Sequence, residues 1–571
     1  MTDLRRTLLW VVFTMSLVLL WDAWNKHTGA PSIFGGPPPA RPAASAPGPN
    51  GSAGSVPAPA APSGAVPSTT SQVASAGTTP TAPAAVPSAA GATAPGPGDV
   101  IVLGTDVVRV SVDARGGDIV RLELLQHRDH VNPKLNVVLF DRSRDRLYFA
   151  RSGLATVDGM AYPNHESVFS AVAGPRELTS GSDALSLVLE SPEVNGVVLR
   201  KTLTLRRGDY RIGVKHELVN RSDKPLAPQL YLQLVRDGNP PAGESSFYFT
   251  FTGPAIYTDA KKFEKIDFKD IEKGKASHQG SADNGWIAMV QHYFASAWLI
   301  GAGGRDFVTT KLGENQYAVA MLVKLGALAP GATLAHDAML FAGPQEEKKL
   351  EAMAPGLELV KDYGYFTILA KPLYWLLDRL YSVLGNWGWA IVALVVLLKI
   401  AFYWLNAAAY RSMAKMKAIN PRVMELRERY KDKPQQMQQE MMRIYREEKV
   451  NPLGGCLPIV VQIPFFIALY WVLLSSVEMR NAPWIGWIQD LSAMDPYYVL
   501  PLLMTGSTLF QTWLNPTPPD PVQAKMMWIM PMVFSVMFFV FPAGLVLYWL
   551  TNNLLSIAQQ WFINRQLGVN K

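Results

Sequence analysis

Five long apolar runs in the C-terminal part of the chain constrain its fold more than any other feature. They lie at about 387–407, 457–477, 497–514, 526–541 and 543–562. A helix needs roughly 17–25 apolar residues to cross about 30 Å of hydrocarbon, and these runs meet or approach that length. Several prolines interrupt them, so neighbouring helices must satisfy the freed backbone groups. The runs predict five membrane-spanning helices within residues 387–567.

A sixth apolar run lies near the N-terminus, at residues 8–21, and follows two arginines. Tryptophans flank this run, and it lacks the small residues of a signal-peptidase site, so residues 1–28 predict an uncleaved anchor. A cleaved signal peptide is the alternative. Residues 29–98 consist mainly of Pro, Ala, Gly and Ser. They predict a disordered linker, because they have too little apolar side chain to offset the entropy of ordering.

Residues 99–345 alternate apolar and polar side chains, the pattern of half-buried strands. The segments 199–205 and 210–214 show it clearly and are separated by a turn sequence. Many short strands with few helical stretches predict a large all-β sandwich. Because its histidines and carboxylates are scattered, we interpret it as a structural or docking domain. A sugar-binding cleft is the alternative.

Residues 346–386 connect the predicted β-domain to the apolar runs. Between residues 371 and 384, leucines recur at helical spacing with polar residues opposite them. An amphipathic helix placed directly before a spanning segment is typical of one that lies in the membrane interface. A short core helix of the preceding domain is the alternative.

The distribution of lysine and arginine predicts how the chain is oriented in the membrane. The loop 408–455 is rich in both residues, whereas the loop 479–495 contains only Arg480, together with Asp490 and Asp495. We therefore expect 408–455 on the cytoplasmic side. Six spans then place both termini in the cytoplasm and the β-domain on the opposite side.

The loop 408–455 itself predicts a helical hairpin, because two apolar stripes at helical spacing flank a turn at 431–434. Such a hairpin would be mobile, basic and rich in methionine. We interpret it as a capture surface for an emerging hydrophobic chain or for ribosomal RNA and protein. A role only as the positive-inside determinant is the alternative. The basic residues singled out for capture are Arg411, Lys415, Lys417, Arg427 and Arg429.

The first core run carries Lys399, a cation where a membrane segment normally has none. Such a charge near the bilayer centre costs roughly 3 kcal/mol on insertion scales, so it is expected to face water or a partner. The other four runs contain no carboxylate and no histidine. We predict a wet recess around Lys399 that attracts polar or acidic guests; simple snorkelling is the alternative. Polar residues that could line it are Gln462, Thr505, Ser507, Thr508, Gln511, Thr512, Asn552, Asn553, Ser556 and Gln559.

Composition argues against several classes of function. The single cysteine excludes a disulfide framework, and all eight histidines precede residue 387, so no metal or cofactor is expected in the membrane part. No phosphate-binding loop of the Gly-x-x-x-x-Gly-Lys-Ser/Thr type is present, and no DNA partner is expected. The pattern favours a passive device that moves polar segments across a bilayer, without enzymatic turnover. A secondary transporter and a membrane-anchored carbohydrate-binding protein are the rival interpretations.

Five short motifs make the chain resemble the Gram-negative branch of the YidC/Oxa family of membrane protein insertases. They are YRSMAKMK at 410–417, NPLGGCLP at 451–458, QIPFF at 462–466, DPYY at 495–498 and FPAGLVLY at 541–548. The resemblance implies six transmembrane helices, a five-helix insertase core with a hydrophilic groove, and a periplasmic β-supersandwich. It also implies nascent inner-membrane proteins as clients. The Sec translocon, the ribosome, the signal recognition machinery and membrane lipids are the implied partners.

The resemblance also assigns a set of groove residues. Many family members have arginine at the position of Lys399, so the charge is kept here but the planar guanidinium is not. Family substrate contacts map by motif to the third span and, more loosely, to the fifth, while an aromatic pair in the sixth span faces the groove. The full candidate set is Lys399, Gln462, Ile463, Pro464, Phe466, Gln511, Met537, Tyr548 and Trp549.

Overall fold

The structure is a computed structural model that describes residues 99–157, 159–241, 250–430, 433–448, 457–515 and 521–566. The predicted anchor (1–28) and linker (29–98) lie outside the described residues. In chain order the strands are β1 (Val100–Gly104), β2 (Val108–Asp113), β3 (Asp118–Arg128), β4 (Asn136–Arg142), β5 (Leu147–Ala155), β6 (Ser170–Ala171), β7 (Ala184–Glu190), β8 (Val197–Arg206), β9 (Arg211–Asn220), β10 (Gln229–Asp237), β11 (Gly253–Thr258), β12 (Lys262–Lys265), β13 (Ser281–Ala282), β14 (Trp286–Val290), β15 (Phe294–Ile300), β16 (Arg305–Gly313), β17 (Gln316–Lys324) and β18 (Thr333–Pro344).

The strands form two nine-stranded antiparallel sheets, in agreement with the predicted β-sandwich. Their spatial orders are β1-β2-β3-β4-β5-β10-β17-β16-β13 and β12-β11-β14-β15-β18-β9-β8-β7-β6. In β8, Leu199, Leu203 and Leu205 are at most 1% exposed, while Thr202 and Thr204 between them are only partly buried. The alternation read from the sequence thus places the apolar set in the core between the sheets.

Lys201 ties the two sheets together from within this core. Its side chain follows the inward face of β8 and is completely buried. The ammonium donates hydrogen bonds of 2.6 Å to the carbonyls of Gly116 and Ser152, which belong to the opposite half of the sandwich. Burial lowers the pKa of Lys201 to about 8, and the carboxylate of Asp118 acts in the opposite direction. Carbonyl dipoles therefore stabilise a charge that has no access to water.

The described helices are α1 (Phe268–Glu272), α2 (Glu347–Met353), α3 (Thr367–Leu384), α4 (Trp387–Ala401), α5 (Tyr403–Arg429), α6 (Pro434–Glu447), α7 (Leu457–Ser475), α8 (Val499–Leu514), α9 (Pro521–Phe538) and α10 (Ala543–Gln566). Short 3-10 turns lie at Leu357–Val360, Gly364–Phe366 and Val477–Met479. Helices α3, α4, α7, α8 and α10 share one apolar core, separate from that of the sandwich. The predicted interfacial helix corresponds to α3, which begins four residues before Lys371 and packs into this helical core.

The first core run differs from its prediction, because it is not one continuous helix over 387–407. Helix α4 ends at Ala401, and α5 begins at Tyr403 at an angle of 68°. The ring of Phe402 packs edge-on against Phe465 at 5.0 Å between centroids, and the Gln559 amide donates to the Tyr403 carbonyl at 3.3 Å. These tertiary contacts hold a bend that no proline or glycine marks in the sequence.

No single described helix is both long and apolar enough to cross a membrane by itself. The bent pair formed by α4 and α5 meets the criteria when its two parts are taken together.

Polar contacts attach the β-domain to the outer end of α7. The side chain of Lys361 is fully buried and lies 3.1 Å from a carboxylate oxygen of Glu478, which also accepts a 2.6 Å hydrogen bond from the Tyr374 hydroxyl. His292, in the turn before β15, reaches the Leu474 carbonyl at 2.8 Å through Nε2. A buried ion pair of this kind is costly to break, because either partner alone would be an uncompensated charge.

Acid is expected to weaken this attachment through His292. Burial lowers the pKa of His292 from 6.5 to about 4. Because the folded pKa lies below the unfolded value, the neutral imidazole stabilises the fold above about pH 6.5, and this contribution of about 3 kcal/mol is lost as pH falls through about 4. Thermal unfolding in detergent between pH 7 and pH 4 measures the effect. His292→Gln keeps a donor toward Leu474 but does not titrate, so its melting temperature should fall less; an identical fall would contradict the assignment.

Candidate functional site

Lys399 lies in the last turn of α4 and points toward α10. Its ammonium donates a 2.7 Å hydrogen bond to the Ser556 hydroxyl oxygen. That hydroxyl donates in turn to the Asn552 carbonyl at 2.7 Å, and the Tyr410 side chain of α5 also hydrogen-bonds to Ser556. Within the described ranges, no carboxylate lies within 4.0 Å of the partly buried ammonium. Lys399 therefore bonds to one hydroxyl, which leaves its charge uncompensated.

A band of polar side chains extends along the same face of α10. Asn553 donates to the Ser507 hydroxyl of α8 at 2.8 Å, and Gln560 donates to the Asn515 side-chain oxygen at 2.9 Å. The Asn406 amide nitrogen and the Gln560 side-chain oxygen are buried without a partner among the described residues. Unmatched polar atoms in an apolar bundle are costly, so the band favours contact with water or with a polar guest.

Three predicted groove residues form one aromatic cluster. Phe466 of α7 stacks on Trp549 of α10, with centroids 5.3 Å apart and planes 7° from parallel, and its ring lies 5.9 Å from that of Tyr548. Phe538 and Phe541, which the sequence analysis did not single out, pack edge-on against Trp549 at 4.9 and 5.3 Å. The cluster joins α7, α9 and α10 on one side of the bundle.

The other predicted groove residues do not join these groups. Ile463 and Met537 expose 46% and 42% of their surface, and no described hydrogen bond or ring contact links them to Lys399. The side chains of Gln462 and Gln511 are partly buried and likewise make no hydrogen bond with described residues. Pro464 lies inside α7. Their placement beside the charge remains a prediction.

The predicted basic hairpin consists of α5 and α6. Arg422 near the end of α5 pairs with Glu448 just after α6, at 2.7 Å. Arg411, Lys415 and Arg429 are exposed, whereas Lys417 and Arg427 are partly buried. The apolar stripe of α6 (Met437, Met441, Ile444 and Tyr445) is partly buried, so the basic side chains lie around an apolar seam.

In the sequence, Ser556 is only one of many polar residues in the apolar runs, and Asn406 was not among the residues predicted to line the recess. A stronger signal was present in α10, where Asn552, Asn553, Ser556, Gln559 and Gln560 recur at intervals of three and four residues. That spacing predicts one continuous polar stripe on a helix. It does not reveal which stripe residue meets Lys399, because that depends on how α4 and α10 pack.

Comparison with known proteins covers both parts of the chain. Residues 100–376 match the YidC periplasmic domain, and residues 379–570 match the 60Kd inner membrane protein family. The membrane protein insertase YidC of Cupriavidus necator is 56% identical over 570 residues, which cover 100% of this chain and 99% of that protein. The corresponding protein of Ralstonia nicotianae is 53% identical over 580 residues, with coverage of 100% and 99%. The chain belongs to the YidC family of membrane protein insertases.

YidC-family membership confirms several predictions made from the sequence. The protein is an inner-membrane insertase with a periplasmic β-domain, its clients are nascent membrane proteins, and the family is not enzymatic. The transporter and carbohydrate-binding interpretations are therefore set aside. A crystal structure of an active YidC insertase with its first transmembrane domain resolved aligns with 80% of this chain and 91% of its own, at 17% identity. Its TM-score of 0.38 is too low to define the fold.

Loss of the Ser556 hydroxyl is expected to destabilise the helical core. Hydrogen bonds to charged groups contribute about 1.5–3 kcal/mol, so Ser556→Ala should lower the free energy of unfolding by that order. Ser556→Thr keeps the hydroxyl and should stay close to the parent protein. The matched control is Thr505→Ala, since Thr505 bonds only to the Pro501 carbonyl of its own helix. Thermal unfolding in detergent compares the variants; equal losses for Ser556→Ala and Thr505→Ala would contradict the role of the contact.

Proposed function

We propose that this insertase receives nascent inner-membrane proteins in a hydrophilic groove, open to cytoplasm and lipid, that is centred on Lys399. The observation that carries the proposal is the hydroxyl-bound ammonium, which has no acidic partner within the described residues. Its charge is then free to pair with a polar or acidic segment of the client. The polar band on α10 with its unmatched Gln560 oxygen, and the unmatched Asn406 amide of α5, support the same site.

The groove lowers the barrier to insertion through the attraction between the Lys399 charge and a charged group of the client. Two unit charges 4 Å apart attract by about 1 kcal/mol in water and by about 4 kcal/mol at an effective dielectric constant near 20. A client carboxylate that leaves water at the membrane surface loses hydration, and the Lys399 ammonium offsets part of that loss. The groove thus lowers the cost of moving a polar tail through the bilayer without a chemical energy source.

Helix α9 supplies an apolar route from the groove to lipid. It packs mainly against α8 and leaves a broad apolar face exposed. Phe538 at its end belongs to the aromatic cluster around Trp549, so this face adjoins the aromatic residues assigned to the groove. A transmembrane segment of the client can exchange contacts with it before lipid surrounds the segment. The exposed residues, including the predicted contact Met537, are Met526, Trp528, Ile529, Met530, Met532, Val533, Phe534, Val536 and Met537.

The hairpin of α5 and α6 is proposed to meet the client first. Its basic side chains suit ribosomal RNA, and the methionines of its apolar seam can adapt to different hydrophobic segments. The ribosome, the signal recognition machinery and the Sec translocon are the proposed partners of this cytoplasmic side. Because α5 continues directly from α4, a client bound at the hairpin lies on the path to Lys399.

The proposed topology has six transmembrane helices, a five-helix insertase core and both termini in the cytoplasm. Its parts are an anchor at 1–28, a disordered linker at 29–98, a periplasmic β-sandwich at 99–345, a connector with the interfacial helix at 346–386, and the core at 387–567. The cytoplasmic hairpin occupies 408–455 within the core. The apolar exposed face of α3, which includes Trp375 and Val383 at 57% and 82%, supports its place at the membrane surface.

Removing the charge at residue 399 is expected to slow insertion of clients with acidic translocated tails. A hydrogen-bonded charge contributes about 1.5–3 kcal/mol, so Lys399→Ala should lower the insertion rate roughly tenfold to a hundredfold, while Lys399→Arg stays within about threefold. Protease protection of the tail in proteoliposomes gives the rate. A client whose tail acids are replaced by amides is the control and should be insensitive to both variants. Normal insertion by Lys399→Ala would remove the charge from the mechanism.

The position of the client can be tested independently by site-specific crosslinking. Photoreactive side chains at positions 399, 463 and 537 are expected to label a stalled nascent membrane protein. A probe at Val172 in the β-domain serves as the control. If probes at 399 and 463 fail to label the nascent chain, the proposed groove is contradicted, whatever the insertion rates show.

Neutralising the hairpin is expected to slow client capture. Replacing Arg411, Lys415, Lys417, Arg427 and Arg429 by Gln should reduce the association rate at low salt by about tenfold, because charge steering raises on-rates by 10-fold or more. The association rate is measured from the binding of ribosome–nascent chain complexes to proteoliposomes. A matched variant carries five Gln replacements on the β-domain, at Arg109, Arg121, Lys215, Lys262 and Lys324.

Topology must be checked in the same variants by cysteine labelling from both sides of the membrane, since the hairpin charges also orient the chain. Loss of capture with normal topology supports the capture role. Equal binding by the two charge-matched variants would leave the positive-inside alternative as the explanation of the charge.

A further inference from the structure

The loop between β3 and β4, residues 129–135, displays apolar side chains where a soluble domain would place polar ones. Val131 and Leu135 expose 66% and 59% of their surface. Scattered exposed aliphatic residues are ordinary, but two at the tip of one short loop form a local apolar patch. We refer to residues 128–135 as the β3–β4 tip.

The Asp129 and Asn132 side chains of the tip bond to its own backbone. The Asp129 carboxylate accepts hydrogen bonds from the amides of Val131 and Asn132, at 2.9 and 2.8 Å, and the Asn132 side chain accepts one from the Lys134 amide at 3.2 Å. A 2.9 Å hydrogen bond from the Asp129 amide to the Leu135 carbonyl joins the two ends of the loop. Val131 and Leu135 are therefore held outward by a loop of defined shape.

The tip adjoins the part of the chain that links α7 to α8. The Arg480 guanidinium donates a 2.7 Å hydrogen bond to the Arg128 carbonyl, and it packs over the rings of Tyr293 and Phe294 at 5.0 and 5.3 Å. The linking segment exposes Trp487 and Tyr497 at 41% and 68%. Aromatic side chains with polar edges are typical of the membrane–water interface, so the tip lies beside an interfacial surface.

Charge at the tip suits phospholipid headgroups. Arg128, His130 and Lys134 are exposed, and the only acid of the segment is Asp129, whose carboxylate is bonded to loop amides. Phosphate oxygens accept hydrogen bonds from arginine and lysine. Apolar residues flanked by cations form the usual pattern of a segment that rests on an anionic bilayer.

We infer that the β3–β4 tip docks on the outer leaflet of the inner membrane. Val131 and Leu135 enter the boundary between headgroups and acyl chains, and Arg128 and Lys134 contact lipid phosphates. Because the tip belongs to the periplasmic domain, the leaflet is the periplasmic one. The contact adds a second support for the β-domain beside its attachment to α7, and it does not depend on the proposed groove.

The test uses a fluorescent reporter at the tip of the full-length protein. Cys456→Ser removes the only cysteine, and Val131→Cys is then labelled with an environment-sensitive nitrobenzoxadiazole dye. The matched control is Val172→Cys, which is 52% exposed and lies at the far edge of its sheet, five strands from β15. Strands are about 4.8 Å apart, so this control lies roughly 24 Å from the Arg480 contact. The proteins are placed in vesicles of phosphatidylcholine and phosphatidylglycerol with a doxyl quencher near the top of the acyl chain.

The dye at 131 is expected to emit at shorter wavelength and to be quenched at least about twofold more than the dye at 172, because the apolar face of an interfacial segment lies about 5–10 Å below the headgroup surface. Replacing Arg128 and Lys134 by Gln should reduce this quenching in vesicles that contain phosphatidylglycerol, but not in pure phosphatidylcholine. Equal quenching at 131 and 172 would overturn the inference. A blue shift at 131 without doxyl quenching would also overturn it, since the tip would then be covered by protein.

Discussion

The hydrogen bond from the Lys399 ammonium to the Ser556 hydroxyl is the interaction on which the proposed groove of this insertase depends. Ser556 satisfies one of the three donors of Lys399 but contributes no negative charge. The contact requires α4 and α10 to lie close together. Gly544 at the start of α10 lets the segment before α8 pack closely on this helix, because a Cβ there would lie 3.1 Å from the Leu491 carbonyl oxygen, which accepts a 2.9 Å hydrogen bond from the Gly544 amide.

Three fully or partly buried lysines of this chain are stabilised in three different ways. Lys201 is fully buried and bonds to two carbonyls, and Lys361 is fully buried and pairs with Glu478. In both cases the charge has partners inside the protein, and the contact joins two different parts of the fold. Lys399 is partly buried, and its described neighbours supply only hydroxyl groups. The first two lysines stabilise the fold, whereas the third lacks an acidic partner among the described residues and is the charge assigned to the guest in the proposed groove.

The sequence predicts the elements of this protein better than it predicts their partners. Alternation in segments such as 199–205 predicts the strands, and period-two burial in β8 agrees with it. It could not predict that β10 pairs with both β5 and β17, because register across distant strands depends on the whole sandwich. The bend at Phe402 was also missed, since neither proline nor glycine marks it. The unusual charge at position 399 could be read directly from the sequence, because Lys399 lies inside an apolar run. That Ser556 is its partner could not be read from the sequence, because this depends on how α4 packs on α10.

Lysine at position 399 fits the hydroxyl environment better than arginine would. A guanidinium presents five donors in a fixed plane and is best satisfied by a carboxylate or phosphate. The two described hydroxyl groups near this site, from Ser556 and Tyr410, would leave most of those donors unmatched. An ammonium is compact and sits on a flexible four-carbon stem, so it can keep one bond to Ser556 while turning its other donors toward a passing chain. In the proposed groove, a client with no fixed carboxylate geometry then needs no rearrangement of α4 or α10 to pair with Lys399.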